Sequence, residues 1–152
     1  MKTHTLQKLV AVGILIACSA ASAEAAPRKR KESGAAGVKT PHTSPQIRQM
    51  AEPMLDNILQ GFKFDDFNIY ARDFEPSLKV AGSRTKFFEI NRYMQNSLGA
   101  YRSRIFLGSV WKQSKIMVLW KGSFEKTPED ILIRLELAPL GKRYVVTGLW
   151  LE

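Results

Sequence analysis

Apolar residues recur about every 3.6 positions through the first part of the folded region, which predicts a helical half of the chain. Ser44 and Pro45 suit the N-cap and first residue of a helix that ends near Gly61. Pro53 lies inside this stretch, so either the helix kinks there or its regular part begins near Glu52. The apolar stripe consists of Ile47, Met50, Met54, Leu55, Ile58 and Leu59.

Two further helices and one short strand are predicted before the pattern changes. Asp65 and Asp66 offer a second N-cap, for a short helix that ends before Pro76. Residues 77–81 (SLKVA) are expected to form a short strand, and a third helix begins near Thr85. The apolar face of that helix is Phe87, Ile90, Asn91, Met94 and Leu98.

After Gly99 the apolar period changes from 3.6 to two, which is typical of strands. Residues 101–112 and 115–124 alternate in this way, and so do residues 131–137 and 144–151. Short turns separate them, so four antiparallel strands in a meander are expected. The predicted fold class is therefore α+β, with N-terminal helices packed on a curved four-stranded antiparallel sheet.

Both faces of this predicted sheet carry apolar residues. Ile105, Leu107 and Trp111 are expected to lie beneath the helices, together with alternate residues of the other strands. A second apolar set is then left over, which indicates either contact with a second copy or another partner, or cover by the tail or a loop. Its members are Phe106, Val110, Met117, Leu119, Val145 and Leu149.

Two short motifs accompany this element order: Leu-Gly-Ala-Tyr at residues 98–101 and Gly-Leu-Trp-Leu at residues 148–151. With them, residues 46–152 resemble the cystatin-like superfamily that includes nuclear transport factor two, and most of all its small secreted bacterial families of unknown function. The resemblance implies a cone-like sheet around the first helix with a pocket at its open end. It carries no catalytic signature, and such folds host enzymes, binding modules and assembly domains alike.

The N-terminus has the order of a secretory leader. Lys2 and Lys8 precede the apolar run LVAVGILIA at residues 9–17, and residues 21–23 (ASA) suit cleavage. The LIAC sequence that ends at Cys18 also resembles the bacterial lipoprotein box, which implies an acylated cysteine. Residues 1–23 are thus read as a leader that sends the protein to the periplasm or outside the cell, or as a lipoprotein leader that anchors it to a membrane.

Positive charge is concentrated behind this leader. The chain carries a formal charge of +9, and residues 24–45, which include RKRK at 28–31, are predicted to be a disordered basic tether. The tether either contacts an anionic surface or acts as a solvated linker. Residues 46–152 form a single domain with 16 basic and 12 acidic residues. Export argues against a nucleic acid partner.

Few residues of this domain suit catalysis. His4 and His42 lie in the leader and tether, and Cys18 is the single cysteine of the chain. The domain therefore has no imidazole or thiol for catalysis or metal binding, and no metal or cofactor is expected.

The remaining candidates for a ligand pocket are aromatic, acidic or basic side chains. The tryptophans are either core residues or the wall of a pocket, and the Arg-Asp neighbours either a surface pair or part of its mouth. The candidates are Tyr70, Arg72, Asp73, Tyr101, Trp111, Trp120, Arg134 and Trp150.

We therefore expect a non-catalytic exported domain of the cell envelope that binds or assembles through its sheet, as a homodimer or with an envelope protein. One alternative is a small isomerase- or hydratase-like enzyme that uses Asp73 or Tyr70. Another is a carrier of small hydrophobic molecules.

Overall fold

A computed structural model describes residues 44–80 and 82–152. Cys18, the predicted leader and almost all of the predicted tether lie outside the described residues. Within the described residues, three α-helices precede the sheet: α1 (Ser44–Phe64), α2 (Phe67–Tyr70) and α3 (Ser83–Ser97).

Four strands follow: β1 (Tyr101–Lys112), β2 (Lys115–Phe124), β3 (Ile131–Leu140) and β4 (Arg143–Leu151). They form one antiparallel sheet in the order β1-β2-β3-β4. The α+β class and the four-stranded meander are confirmed.

The first helix is longer than predicted. It begins at Ser44 as expected and continues through Pro53 and past Gly61 to Phe64. Gly61 is therefore not the helix stop. A Cβ atom at this position would lie 2.5 Å from the Cα of Tyr70, so the glycine allows α2 to approach α1 closely.

The segment between α2 and α3 contains no strand over residues 77–80, so the prediction of a short strand there is wrong. Pro76–Leu78 forms a single 3-10 turn instead, because proline at its first position fixes φ and suits a helical turn. The N-cap prediction for α2 is confirmed at Asp66, whose carboxylate accepts from the backbone N–H groups of Asn68 and Ile69.

The helices cover one face of the sheet, here called the inner face. Its residues and the buried stripe of α1 form one core, in which α2 and α3 take part. The ring centroids of Phe62 and Phe87 are 5.7 Å apart, which joins α1 to α3. The fully buried inner-face residues are Ile116, Val118, Trp120, Ile133, Leu135, Leu137 and Val146.

The opposite, outer face differs from the prediction because β1 contains a bulge. Phe106 pairs with Trp120 and Gly108 with Leu119, so Leu107 is an extra residue and the alternation changes phase there. Ile105 and Leu107, expected beneath the helices, are instead 60% and 55% exposed on the outer face.

The predicted surplus set is also corrected, by the bulge in β1 for Phe106 and by a separate register shift between β3 and β4 for Leu149. Phe106 packs against the core, with its ring centroid 6.0 Å from that of Trp120. Leu149 pairs with Leu135 and is also a core residue. Val145 is buried, whereas Val110 is exposed on the outer face.

Candidate functional site

The structure does not bring the predicted pocket residues together. Tyr70 is buried in an aromatic cluster, with ring centroids 4.7 Å from Phe87 and 4.9 Å from Phe74. Burial raises the pKa of the Tyr70 hydroxyl well above its ordinary value, so it remains a neutral phenol at physiological pH. This environment suits packing better than proton transfer.

Arg72 and Asp73 meet at one amide rather than at a pocket. The Asn57 amide nitrogen donates to the Asp73 carboxylate over 2.7 Å, and its oxygen accepts from Arg72 over 3.2 Å. The Asp73 carbonyl accepts from the backbone N–H of Val146 at the edge of β4. These two residues therefore fasten the α2–α3 connection to α1 and to the sheet.

Trp120 and Tyr101 lie near a charged network that the sequence analysis missed. Glu52 of α1 accepts from the Trp120 indole over 3.2 Å and from the Nε of Arg104 over 2.8 Å. Arg104 also pairs with Asp56 at 2.7 Å. The Tyr101 hydroxyl lies 3.5 Å from Arg104 at the edge of the same network.

The side chains of this network remain ionised. Partial burial would raise the pKa of Glu52, but hydrogen bonds from Arg104, Trp120 and Arg48 outweigh it and lower that pKa. Burial opposes the charge of Arg104, yet hydrogen bonds to Glu52 and Asp56 raise its pKa. A carboxylate that stays ionised and fully hydrogen-bonded suits a structural tie between α1 and the sheet.

A cleft of about 490 Å³ lies where α1, α3 and the start of β1 meet. Among the predicted site residues, Tyr101 contributes to its wall. Its lining combines apolar and polar side chains: Leu59, Phe62, Met94 and Phe124 with Asp56, Gln60, Lys63 and Gln95. A cavity of this size and composition suits a small amphipathic molecule.

Arg134 and Trp150 lie together on the outer face. The Arg134 guanidinium carbon is 4.4 Å from the centroid of the Trp150 ring, and Arg134 pairs with Glu152 at 3.0 Å. The Trp150 ring lies against Gly148, where an added Cβ would be 2.2 Å from it. Trp111 is separate from this pair, at the far end of β1, and is 42% exposed.

The outer face carries apolar side chains on all four strands and three ion pairs formed within the chain. Its ionic groups pair within the chain: Lys115 with Glu136 at 2.6 Å, and Lys121 with Asp130 at 3.0 Å, besides Arg134 with Glu152. Burial would raise the pKa of Glu136, but hydrogen bonds from Lys115 and Thr147 lower it. The apolar members are Ile105, Leu107, Val110, Met117, Leu119, Leu132 and Trp150.

Both edges of the sheet are protected against strand addition. Residues 73–75 run along β4, where Phe74 forms a parallel bridge with Val146. Edge strand β1 has register shifts at two places and carries Arg104 pointing towards the helices. The uncovered face, rather than an edge, is therefore the surface available for association.

Sequence reasoning missed the most exposed part of this face. Strict alternation through Gly108 places Ile105 and Leu107 on the covered side, and the bulge reverses this placement. Gly108 has a φ of +151°, which side-chain-bearing residues rarely adopt, so an isolated glycine within a strand pattern was the available signal for a bulge.

Neither a metal-binding cluster nor a membrane span is found in the described residues. No group of three or more histidine, cysteine, aspartate or glutamate side chains in this part of the chain is placed to hold a metal ion. No helix in residues 44–80 and 82–152 has the length and apolar character needed to cross a bilayer.

Comparison with known proteins gives one distant structural likeness. The chain matches no family model and no curated protein. It is similar to the solution structure of a SEC-C motif containing protein from Rhodopseudomonas palustris, at 16% sequence identity and a TM-score of 0.43. The match covers 67% of this chain and 88% of that chain. A likeness this distant assigns neither a fold family nor a function.

Proposed function

We propose that this chain is a non-catalytic binding or assembly domain of the cell envelope that associates through the outer face of its sheet. The observation that carries the proposal is the uncovered apolar surface of β1, where Ile105, Leu107 and Val110 are 49–60% exposed. Contiguous apolar surface of this kind marks interaction sites in soluble proteins. The envelope location rests on the leader pattern of residues 1–23.

The partner that best fits this face is a second copy of the chain. Three basic and three acidic groups of the face pair with one another, so unpaired charge does not lie beside these pairs but only at the end where Lys112 stands. A neutral apolar face matches itself across a two-fold axis. Four strands of about ten residues present about 600 Å² per copy, or about 1,200 Å² in a dimer, the lower bound for a stable interface.

A cystatin-like or nuclear transport factor two-like fold is the finer classification that we propose. It agrees with helices on one side of a four-stranded antiparallel meander and with a first helix that packs along the sheet. The motifs at residues 98–101 and 148–151 support the same classification.

Sedimentation equilibrium of the purified chain tests this association. We expect a two-chain mass that falls to one chain in Leu107→Glu, because the carboxylate would be buried without a partner between two apolar faces. Val80→Glu is the matched control, since Val80 is also 55% exposed but lies in the connection between α2 and α3. A one-chain mass for the wild type, or equal dissociation in Val80→Glu, would refute the proposal.

A second function, as a carrier of small hydrophobic molecules, is favoured by the cleft of about 490 Å³. Native mass spectrometry of the chain purified without denaturant would then show a bound small molecule. Ala100→Phe adds a ring to the cleft wall and should abolish that adduct. An adduct that persists in this variant, or no adduct in the wild type, would count against a carrier.

A further inference from the structure

One end of the sheet is strongly basic. In a meander, the β1–β2 turn and the β3–β4 turn lie at the same end, here called the basic end. The two segments that form it, residues 110–116 and 138–145, contain four basic residues and no acidic residue. These are Lys112, Lys115, Lys142 and Arg143.

Most of this charge is left unpaired. Lys115 is neutralised by Glu136, but Lys112, Lys142 and Arg143 form no ion pair among the described residues. Lys112 and Lys115 are also direct cross-strand partners, and like charges in this arrangement destabilise a sheet. A bound anion would relieve this repulsion.

Apolar side chains are exposed beside these cations. Trp111 is 42% exposed next to Lys112, and Leu140 is 40% exposed opposite Arg143. An indole and an aliphatic chain flanked by cations fit the layer between lipid headgroups and acyl chains. Nucleic acid would accept the cations and stack on the indole, but it has no comparable place for leucine.

The opposite end of the sheet has the opposite charge. The β2–β3 loop there, residues 125–130 (EKTPED), contains three acidic residues and one basic residue. Glu152 also lies there, because its backbone pairs with that of Leu132. An anionic surface would therefore attract the basic end and repel the other, which would orient the domain.

The N-terminus of α1 is directed towards the basic end. The Arg48 guanidinium lies 5.5 Å from the Phe106 ring centroid, whereas the C-terminal part of α1 lines the cleft beside Tyr101. Helix α1 therefore runs opposite to β1, and Ser44, about 6 Å before Arg48 along the helix, points towards the two turns. The basic sequence at residues 28–31 precedes this point in the chain.

We infer that the basic end docks on an anionic lipid bilayer, with Lys112, Lys142 and Arg143 on lipid phosphates and Trp111 and Leu140 in the interfacial layer. This surface differs from the outer-face contact proposed above, so either can fail without the other.

Flotation of the full chain with vesicles tests this inference. Binding is compared on phosphatidylglycerol–phosphatidylcholine vesicles and on pure phosphatidylcholine vesicles. Each basic residue near an anionic surface contributes about fivefold to partitioning, so the triple variant K112Q/K142Q/R143Q should bind on the order of 100-fold more weakly. Residues 28–31 are left unchanged throughout.

The matched control, K86Q/R92Q/R102Q, removes the same charge from exposed positions on α3 and at the start of β1. It should bind within a few-fold of the wild type, because none of those residues belongs to the two segments that form the basic end. Unchanged thermal unfolding of both triple variants would show that neither difference comes from misfolding.

Fluorescence quenching tests the depth of Trp111. Lipids brominated on their acyl chains should quench the wild type, and this quenching should be lost in Trp111→Phe while the variant still floats with vesicles. Any of three results would overturn the inference. The chain could bind pure phosphatidylcholine vesicles equally well, or the control triple variant could lose as much vesicle binding as K112Q/K142Q/R143Q. The chain could also bind a single-stranded oligonucleotide but not vesicles.

Discussion

The two faces of the sheet are built from similar apolar residues but have different roles. On the inner face, Trp120, Ile133 and Leu135 are fully buried beneath the helices. On the outer face, Ile105 and Leu107 remain more than half exposed. Apolar content alone therefore does not say which face makes the core; the bulge in β1 and the position of α1 decide it.

The charges of the two faces differ in the same way. Glu52 on the inner side is held by Arg104, whose side chain is 14% exposed, whereas Glu136 on the outer side pairs with Lys115, which is 44% exposed. The first pair joins a helix to the sheet and the second joins neighbouring strands. Removing an inner charge should therefore cost more stability.

The largest effect is expected from removing the central inner ring. Trp120→Ala should lower the free energy of unfolding by about 3–5 kcal/mol, because it leaves a cavity and removes a hydrogen bond to Glu52. Trp150→Ala on the outer face should cost clearly less, since that ring is half-buried. Urea unfolding measures both, and equal losses would remove the distinction between the faces.

A smaller loss is expected from the inner charge. Glu52→Gln should cost about 2 kcal/mol, because it leaves Arg104 partly buried beside one remaining carboxylate. Glu136→Gln should cost about 1 kcal/mol or less. If the two variants unfold at the same urea concentration, the network around Glu52 does not stabilise the packing of α1 on the sheet.

The pH dependence follows from the same two carboxylates. The pKa values of Glu52 and Glu136 are both lowered on folding, so the folded state binds fewer protons than the unfolded state. Their stabilisation is present above the unfolded pKa of about 4.3 and is lost as the pH falls through the lowered folded values. Stability measured from pH 7 to pH 3 should fall less steeply in Glu52→Gln; an unchanged slope would contradict this assignment.

The smallest change in chain stability is expected on the outer face. Ile105→Thr should alter the unfolding free energy of the isolated chain by no more than about 0.5 kcal/mol, because the side chain is mostly exposed. It should nevertheless weaken the dependence of Tm on protein concentration that a dimer produces. A large loss of stability at high dilution would mean that Ile105 belongs to the core.

Most of the fold was accessible from periodicity because the strands are long and their turns short. The order of the three helices and four strands, the cap at Asp66 and the β1–β2 turn at residues 113–114 were predictable, whereas the 3-10 turn at Pro76–Leu78 was not. The bulge at Leu107 was not read from the pattern, since one extra residue reverses every later assignment without changing composition.

The candidate site was harder to predict because its parts come from distant positions in the chain. Glu52 and Arg104 are 52 residues apart, and neither belongs to a recognisable motif. The predicted pocket residues were chosen by chemical type, and the structure distributes them among the core, the α2–α3 connection and the outer face. The surplus of apolar residues on the sheet was visible in the sequence, but which of them remained exposed was not.

Isotope-filtered NMR tests the outer-face contact most directly. In an equal mixture of ¹³C-labelled and unlabelled chains, intermolecular NOEs should connect the methyl groups of Ile105, Leu107 and Leu119 to the second copy. The methyl groups of Val80, equally exposed but away from the sheet, should show none. The account would be contradicted if no intermolecular NOEs were seen at millimolar concentration, or if they involved Val80 instead of the outer face.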